Sequence, residues 1–170
     1  PVGTIIATFG GTIVNRLNFE TYPLEQCSRS IQIEVDQFVL GPELREPGDS
    51  INHSCSPNCQ LRNATQLITM RDIAVGEELT YDYATSDASD YDEFECACGS
   101  DNCRVRITGN DWKLPDLQSR YQKIFSPYVQ RKIQAAQLAR VLTKRDVENL
   151  MHNYDDNPQE ALTYALRIAT

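Results

Sequence analysis

Cys96-Ala97-Cys98-Gly99-Ser100-Asp101-Asn102-Cys103-Arg104 is the stretch on which the reading of this chain turns. It sets three thiols within eight residues, and Gly99 permits a tight turn among them. Thiols so placed can converge on one ion. A closed tetrahedral zinc site takes four ligands, so a fourth must come from elsewhere, and Cys55 and Cys59 are the candidates. The competing reading is a disulfide pair with a spare thiol. No charged-then-apolar leader opens the sequence, so a reducing compartment is expected, where disulfides are rare. The spacing therefore favours zinc. A thiol redox protein using Cys96-x-Cys98 is a further reading, but the acidic, Gly-poor surroundings give no reason for a lowered thiol pKa. Cys27 stands far from the cluster and is expected to be a small buried hydrophobe.

The sequence around this stretch is acidic. Nine Asp and Glu and no Lys or Arg lie between Glu77 and Asp101. For any one of these acids a solvated loop is the better reading, but as a group they would attract a basic peptide. The 170 residues carry a net charge of -8, with 41% hydrophobic and 24% charged residues, a globular composition. Residues 1–112 hold 18 Asp and Glu against 7 Arg, whereas residues 113–170 hold 6 against 9 Lys and Arg, including every Lys. This shift near Asp111 marks two regions with different roles. The acidic balance argues against direct nucleic-acid binding, which rests on a basic face. The basic tail reads as a solvated helical face. No apolar run approaches the roughly 18 residues of a membrane-spanning helix, so no membrane partner is expected.

The first region reads as β-rich. Thr4–Phe9 and Thr12–Val14 flank Gly10-Gly11 as strand, turn and strand. Ile31, Ile33 and Val35 alternate with polar residues, as in a half-buried strand that Gly41-Pro42 ends. Gln66–Met70 and Glu77–Tyr83 read as two further strands around Ala74-Val75-Gly76. Residues 41–65 and 85–93 read as loop. The last region reads as helical. Ser126-Pro127 supplies a cap and a Pro for the first helical position, and Val129, Ile133 and Ala136 follow on one face. Thr143 to Asp146 opens a second helix and Asn157-Pro158 a third, which carries Leu162, Ala165 and Leu166.

Three segments together resemble the SET-domain family of protein-lysine methyltransferases. They are Asn52-His53-Ser54-Cys55-Ser56-Pro57-Asn58-Cys59, then Gly76-Glu77-Glu78-Leu79-Thr80-Tyr81-Asp82-Tyr83, then the cysteine stretch quoted above, which is similar to the family's post-SET segment. Singly, Asn-His is a turn with a bonded imidazole and Tyr-x-Tyr one face of a strand; their company and order carry the resemblance. It runs from about Gly3 to Arg104. Residues 107 to about 133, with Asp111-Trp112, look like the extension of small stand-alone SET proteins, and residues 134–170 match nothing known to us. Trp112 is expected to be a core anchor and His152 an exposed helical residue.

The resemblance implies a mostly β chain with α elements: a SET-type β-fold at 1–84 with knot-like threading, a zinc-bound post-SET segment at 85–106 and a helical extension at 107–170. It implies that Asn52, His53 and Tyr83 contact S-adenosylmethionine, that Tyr83 stands at the methyl-transfer centre, and that Tyr81 influences how many methyls are added. Cys55 would join Cys96, Cys98 and Cys103 on a structural zinc, leaving Cys59 aside. The partner implied is a lysine-containing basic protein or peptide, histone-like or ribosomal. The place is intracellular: cytoplasm, or nucleus in a eukaryote. A Tyr rather than Phe at 81 favours mono- or dimethylation.

Two departures from the family pattern stand out. The family opens with strands carrying a Gly-x-Gly turn for the amino-acid end of the cofactor, and Pro1-Val2-Gly3-Thr4 resembles the segment just after it. About one hairpin is thus expected to be missing through truncation, at a cost in cofactor affinity. The family also commonly carries Arg and an aromatic where this chain has Asp49 and Ser50. The alternative reading is a non-catalytic protein-binding module on the same fold, favoured by the missing hairpin and opposed by the retained Asn52, His53 and Tyr83.

Overall fold

The computed structural model describes residues 1–90, 93–139 and 143–154. Asp92 and the helix expected from Asn157-Pro158 lie outside them. The chain forms two compact units, Pro1–Gln130 and Arg131–Thr170.

The first unit is mostly β, as expected. Its strands are β1 (Ile5–Thr8), β2 (Thr12–Asn15), β3 (Ile31–Glu34), β4 (Gln37–Leu40), β5 (Asn52–His53), β6 (Cys59–Leu61), β7 (Gln66–Thr69), β8 (Thr80–Tyr81), β9 (Phe94–Glu95) and β10 (Arg106–Ile107). Two antiparallel sheets have the orders β1-β7-β6 and β2-β4-β3. β9 and β10 pair antiparallel, while β5 and β8 pair parallel across 26 intervening residues. Short helices α1 (Arg16–Phe19) and α2 (Leu24–Cys27) join β2 to β3, and α3 (Pro115–Tyr121) follows the last strand.

The strands on either side of Gly10-Gly11 form, but not as a hairpin. β1 pairs with β7 and β2 with β4, so the diglycine carries the chain from one sheet to the other. Gly11 has φ +141°, and a Cβ there would lie 1.9 Å from the Leu40 carbonyl oxygen, which leaves room for glycine alone. The Ile31–Val35 alternation also fails in part. Gln32 is 1% exposed, and Val35 turns outward beyond the strand. The buried Gln32 amide accepts from Ala88 N at 3.0 Å and donates to Val35 O at 3.3 Å and to the Tyr128 hydroxyl at 3.4 Å. Its polar atoms are therefore satisfied inside the fold, as burial demands.

The strand expected over Glu77–Tyr83 contracts to Thr80-Tyr81, and Tyr83 opens a 3-10 turn, Tyr83–Thr85. The cause is local: the Asp82 carboxylate accepts from Ala84 N at 3.1 Å and caps that turn. Within the expected loop 41–65 lie β5, β6 and a 3-10 turn, Pro47–Ser50. One apolar core gathers Ile31, Val39, Ile51, Cys59, Leu61, Leu67 and Tyr81. A second holds Val14, Phe19, Cys27, Phe38 and Leu40, with the Phe19 and Phe38 rings stacked at 4.2 Å. Cys27 is buried there as expected, and Trp112 is buried beside α3.

α4 (Pro127–Ala139) begins where Ser126-Pro127 placed it, with the Ser126 hydroxyl accepting from Val129 N at 3.2 Å. It runs across the boundary between the units. In the second unit α5 (Lys144–Tyr154) opens on a reciprocal cap: Thr143 N donates to the Asp146 carboxylate at 2.8 Å, and Asp146 N to the Thr143 hydroxyl at 3.2 Å. His152 is exposed in its last turn.

Candidate active site

The parallel pairing of β5 with β8 is what assembles the site. It sets Asn52 opposite Thr80 and His53 opposite Tyr81. Two strands of two residues hold little by themselves, and side chains complete the join. Asn58 donates to Glu77 Oε1 and to Glu78 O, each at 2.8 Å, and accepts from Thr80 N at 2.9 Å. Asn52 donates to Glu78 Oε1 at 2.8 Å. The first two motifs of the sequence are thereby one structural unit.

His53 is buried between them. Its Nδ1 accepts from the backbone N–H of Tyr83 at 3.2 Å, and its Nε2 lies 3.3 Å from Cys55 Sγ. The Tyr83 amide fixes the tautomer, since an accepting Nδ1 leaves the proton on Nε2. Burial, opposed by the Asp82 charge and aided by Arg104, lowers the imidazole pKa to about 4. His53 is therefore neutral at neutral pH and serves as a positioned acceptor.

Tyr83 donates its hydroxyl to Ile51 O at 3.1 Å. Its ring meets Tyr81 at 4.8 Å, His53 at 5.4 Å and Phe94 at 5.9 Å between centroids. Tyr81 in turn meets Phe9 at 6.2 Å. A cavity of about 570 Å³ is lined by Asn52, His53, Glu78, Tyr83 and Phe94, a size that suits a small-molecule ligand. A second, of about 30 Å³, is lined by Phe9, Ile51, Tyr81 and Tyr83. Tyr83 lines both.

The thiols adjoin this cluster, with Cys55 against His53 and with Cys96 and Cys98 in the lining of the larger cavity. The Sγ atoms of Cys55, Cys96, Cys98 and Cys103 all fall within 4.8 Å of one another. A tetrahedron of Zn–S bonds of about 2.3 Å spaces its sulfurs by roughly 3.8 Å, so this donor set fits zinc. Cys59 is elsewhere: it is buried on β6 with its thiol on Asn58 Oδ1 at 3.2 Å. Of the two candidates for a fourth thiol, the fold brings Cys55 to the cluster. Burial pushes the Cys55 thiol up to about 12. Cys98 moves the other way: burial opposes its ionisation, but hydrogen bonds from Ser100, from the backbone and from Cys96 bring it down to about 5. A cation would reconcile these values, because thiolate ligation deprotonates the whole set.

An ionic network, absent from the sequence reading, joins the cluster to the tyrosines. Arg104 follows Cys103, and its backbone N–H reaches Cys55 Sγ at 3.3 Å. Its guanidinium grips both oxygens of Asp82 and donates to Asp111 Oδ2. Asp82 also accepts from the Tyr121 hydroxyl at 3.0 Å. Asp82 and Arg104 lie inside the quoted motifs, and Asp82 is one of the nine acids between Glu77 and Asp101, but no signal in the sequence pairs them. Nothing in the sequence shows that α3 would return Tyr121 to them.

Residues 10–84 match the SET domain family. Over 80 residues the chain is 39% identical to a probable histone-lysine N-methyltransferase, set-23, of Caenorhabditis briggsae, covering 42% of this chain and 33% of that protein. It is 43% identical over 113 residues to the human histone-lysine N-methyltransferase 2D, covering 59% of this chain and 2% of that protein. It is 27% identical over 122 residues to an H3 lysine-36 specific histone-lysine N-methyltransferase of Cryptococcus neoformans, covering 64% of this chain and 14% of that protein. The chain thus spans a third or less of the length of these curated relatives. It contains a SET domain at residues 10–84. No helix among the described residues is long and apolar enough to cross a membrane.

Proposed function

We propose that this protein transfers methyl groups from S-adenosylmethionine to a lysine side chain of a basic protein, adding one or two. The observation that carries the reading is the place of Tyr83, which lines both cavities with its hydroxyl held by Ile51 and its amide held by His53. In this reading the larger cavity takes the donor, with Asn52, His53 and Tyr83 around it, and the smaller takes the lysine chain. Residues 1–84 form the SET domain with its knot-like threading, 85–106 the post-SET segment, and 107–170 the helical extension.

S-adenosylmethionine supplies an electrophilic methyl carried on a sulfonium. The acceptor must be a neutral amine, yet with a pKa near 10.4 less than about one lysine in a thousand is neutral at pH 7. Phe9, Tyr81 and Tyr83 line the narrow cavity together with Arg29, Asp49 and Asp87; the desolvation that the three rings impose on an entering amine lowers its pKa. Their ring faces tolerate the cation on entry. A phenol that gives its hydrogen to the Ile51 carbonyl presents its oxygen as an acceptor, the role an amine N–H requires. Positioning of this kind supplies much of the rate. Zinc on Cys55, Cys96, Cys98 and Cys103 is structural, tying the segment after Phe94 to the first motif.

Of the nine acids between Glu77 and Asp101, Asp82 is buried on Arg104, and Glu77, Asp90, Glu93 and Glu95 pair with arginines; the excess of acid that is left supports a Lys- and Arg-rich substrate, histone-like or ribosomal, as the relatives' names support histones. Those names also support an intracellular, nuclear setting. Mass spectrometry of the methylated product tests the reading. Tyr81→Phe removes a hydroxyl beside Tyr83 and is expected to shift the product toward higher methylation; an unchanged distribution overturns the role of Tyr81.

A further inference from the structure

The ion pair of Arg29 and Asp49 belongs to none of the motifs above. Arg29 lies two residues past α2, and Asp49 in the 3-10 turn Pro47–Ser50. Arg29 Nη1 meets Asp49 Oδ2 at 2.9 Å, with the side chains only 7% and 6% exposed. A buried pair of this kind seldom gains stability over apolar residues of equal volume, and it persists where its hydrogen bonds are met. Here they are. Arg29 Nε donates to Glu25 O at 3.0 Å, Nη2 to Glu43 O at 3.4 Å, and Nη1 also faces Pro42 O at 3.5 Å. Asp49 Oδ2 accepts in addition from Glu46 N at 2.9 Å and so closes the turn on itself.

The position of that turn matters to the site. Two residues beyond Asp49, the carbonyl of Ile51 receives the Tyr83 hydroxyl. Three residues beyond, Asn52 begins the pairing with β8. Arg29 and Asp49 also line both cavities that Tyr83 lines. The pair thus stands in the wall between the two proposed ligand spaces, anchored on α2 and the 42–43 loop.

We infer that Arg29 and Asp49 are positioning residues for methyl transfer: their ion pair fixes the Pro47–Ser50 turn so that the Ile51 carbonyl holds the Tyr83 hydroxyl in place. This rests on the proposed role of Tyr83. Exchanging the two residues would not preserve the device, since a carboxylate at 29 would face the carbonyls of Glu25, Pro42 and Glu43.

The test combines kinetics with a resonance of Tyr83 itself. In protein labelled at tyrosine Cζ, the Tyr83 signal is assigned from Tyr83→Phe. Asp49→Asn keeps the shape and removes the charge. It is expected to move that signal and to lower kcat about tenfold or more. Combined with Tyr83→Phe it should cost nothing further, because both act through one hydroxyl. Arg29→Lys, which keeps the charge, should recover part of the rate that Arg29→Gln loses. An unmoved Tyr83 signal, or losses that add to that of Tyr83→Phe, overturns the inference. A wild-type protein that transfers no methyl overturns the role given to Tyr83, and with it the catalytic part of the inference; the signal still decides whether the pair positions the tyrosine.

Discussion

Arg104 grips Asp82 through two parallel hydrogen bonds of 2.7 Å, Nη1 to Oδ2 and Nη2 to Oδ1. One residue adjoins the thiol cluster and the other stands between Tyr81 and Tyr83. Their side chains are 12% and 0% exposed. The third face of the guanidinium, Nε, meets Asp111 at 2.7 Å, so the cation bridges two buried carboxylates. Removing one partner of such a pair leaves a buried charge uncompensated, which costs about 3–5 kcal/mol. Arg104→Ala is expected to lose that much in urea denaturation. Arg104→Lys should restore little, because an ammonium lacks the planar fork that spans Asp82 and Asp111 together. A midpoint unchanged in Arg104→Ala would contradict this view of the network.

Tyr121 sits on the far side of Asp82. Burial first, and the neighbouring Asp82 charge next, push its phenol pKa up from the ordinary value near 10. The folded chain then keeps a proton that the unfolded chain releases. The stabilisation is therefore fully present below about pH 10 and is lost as pH rises above it. Spectrophotometric titration should show a late-ionising tyrosine that disappears in Tyr121→Phe. The same variant should soften the alkaline decline in stability. A variant that loses a tyrosine ionising near pH 10 and keeps the late one would show that Tyr121 is not held by Asp82.

Zinc content separates the two cysteines of the first motif. One zinc per chain is expected, lost in Cys55→Ser and in Cys98→Ser but retained in Cys59→Ser, whose thiol faces Asn58 rather than the cluster. Thiol titration before and after chelation should release four reactive groups. Zinc retained in Cys55→Ser would break the link between the first motif and the cysteine stretch.

Much of this arrangement is legible in the sequence, and the rest has physical reasons for being hidden. The cap at Ser126-Pro127 and the Thr143–Asp146 box are short-range signals, and both helices begin where those residues place them. The Cys96-x-Cys98-x4-Cys103 spacing shows that a fourth thiol is needed, but spacing alone cannot choose between Cys55 and Cys59. That choice depends on the β5–β8 pairing, a long-range contact. The same applies to Gly10-Gly11, whose local signal is a turn but whose strands find their partners in distant segments. Gln32 breaks the alternation of β3 because its amide partners come from Val35, Ala88 and Tyr128. Tyr121 reaches Asp82 across 39 positions, and no periodicity in the sequence announces it.

The most direct test of the account is methyl transfer itself. The protein is incubated with S-adenosylmethionine and unmodified histone-tail peptides, and lysine methylation is read by mass spectrometry for wild type and Tyr83→Phe. The wild type is expected to place one or two methyl groups on a lysine. Tyr83→Phe is expected to lose about a hundredfold or more in rate while still binding the donor. Transfer undiminished in Tyr83→Phe, or a wild type that binds both donor and peptide and transfers nothing, would contradict it.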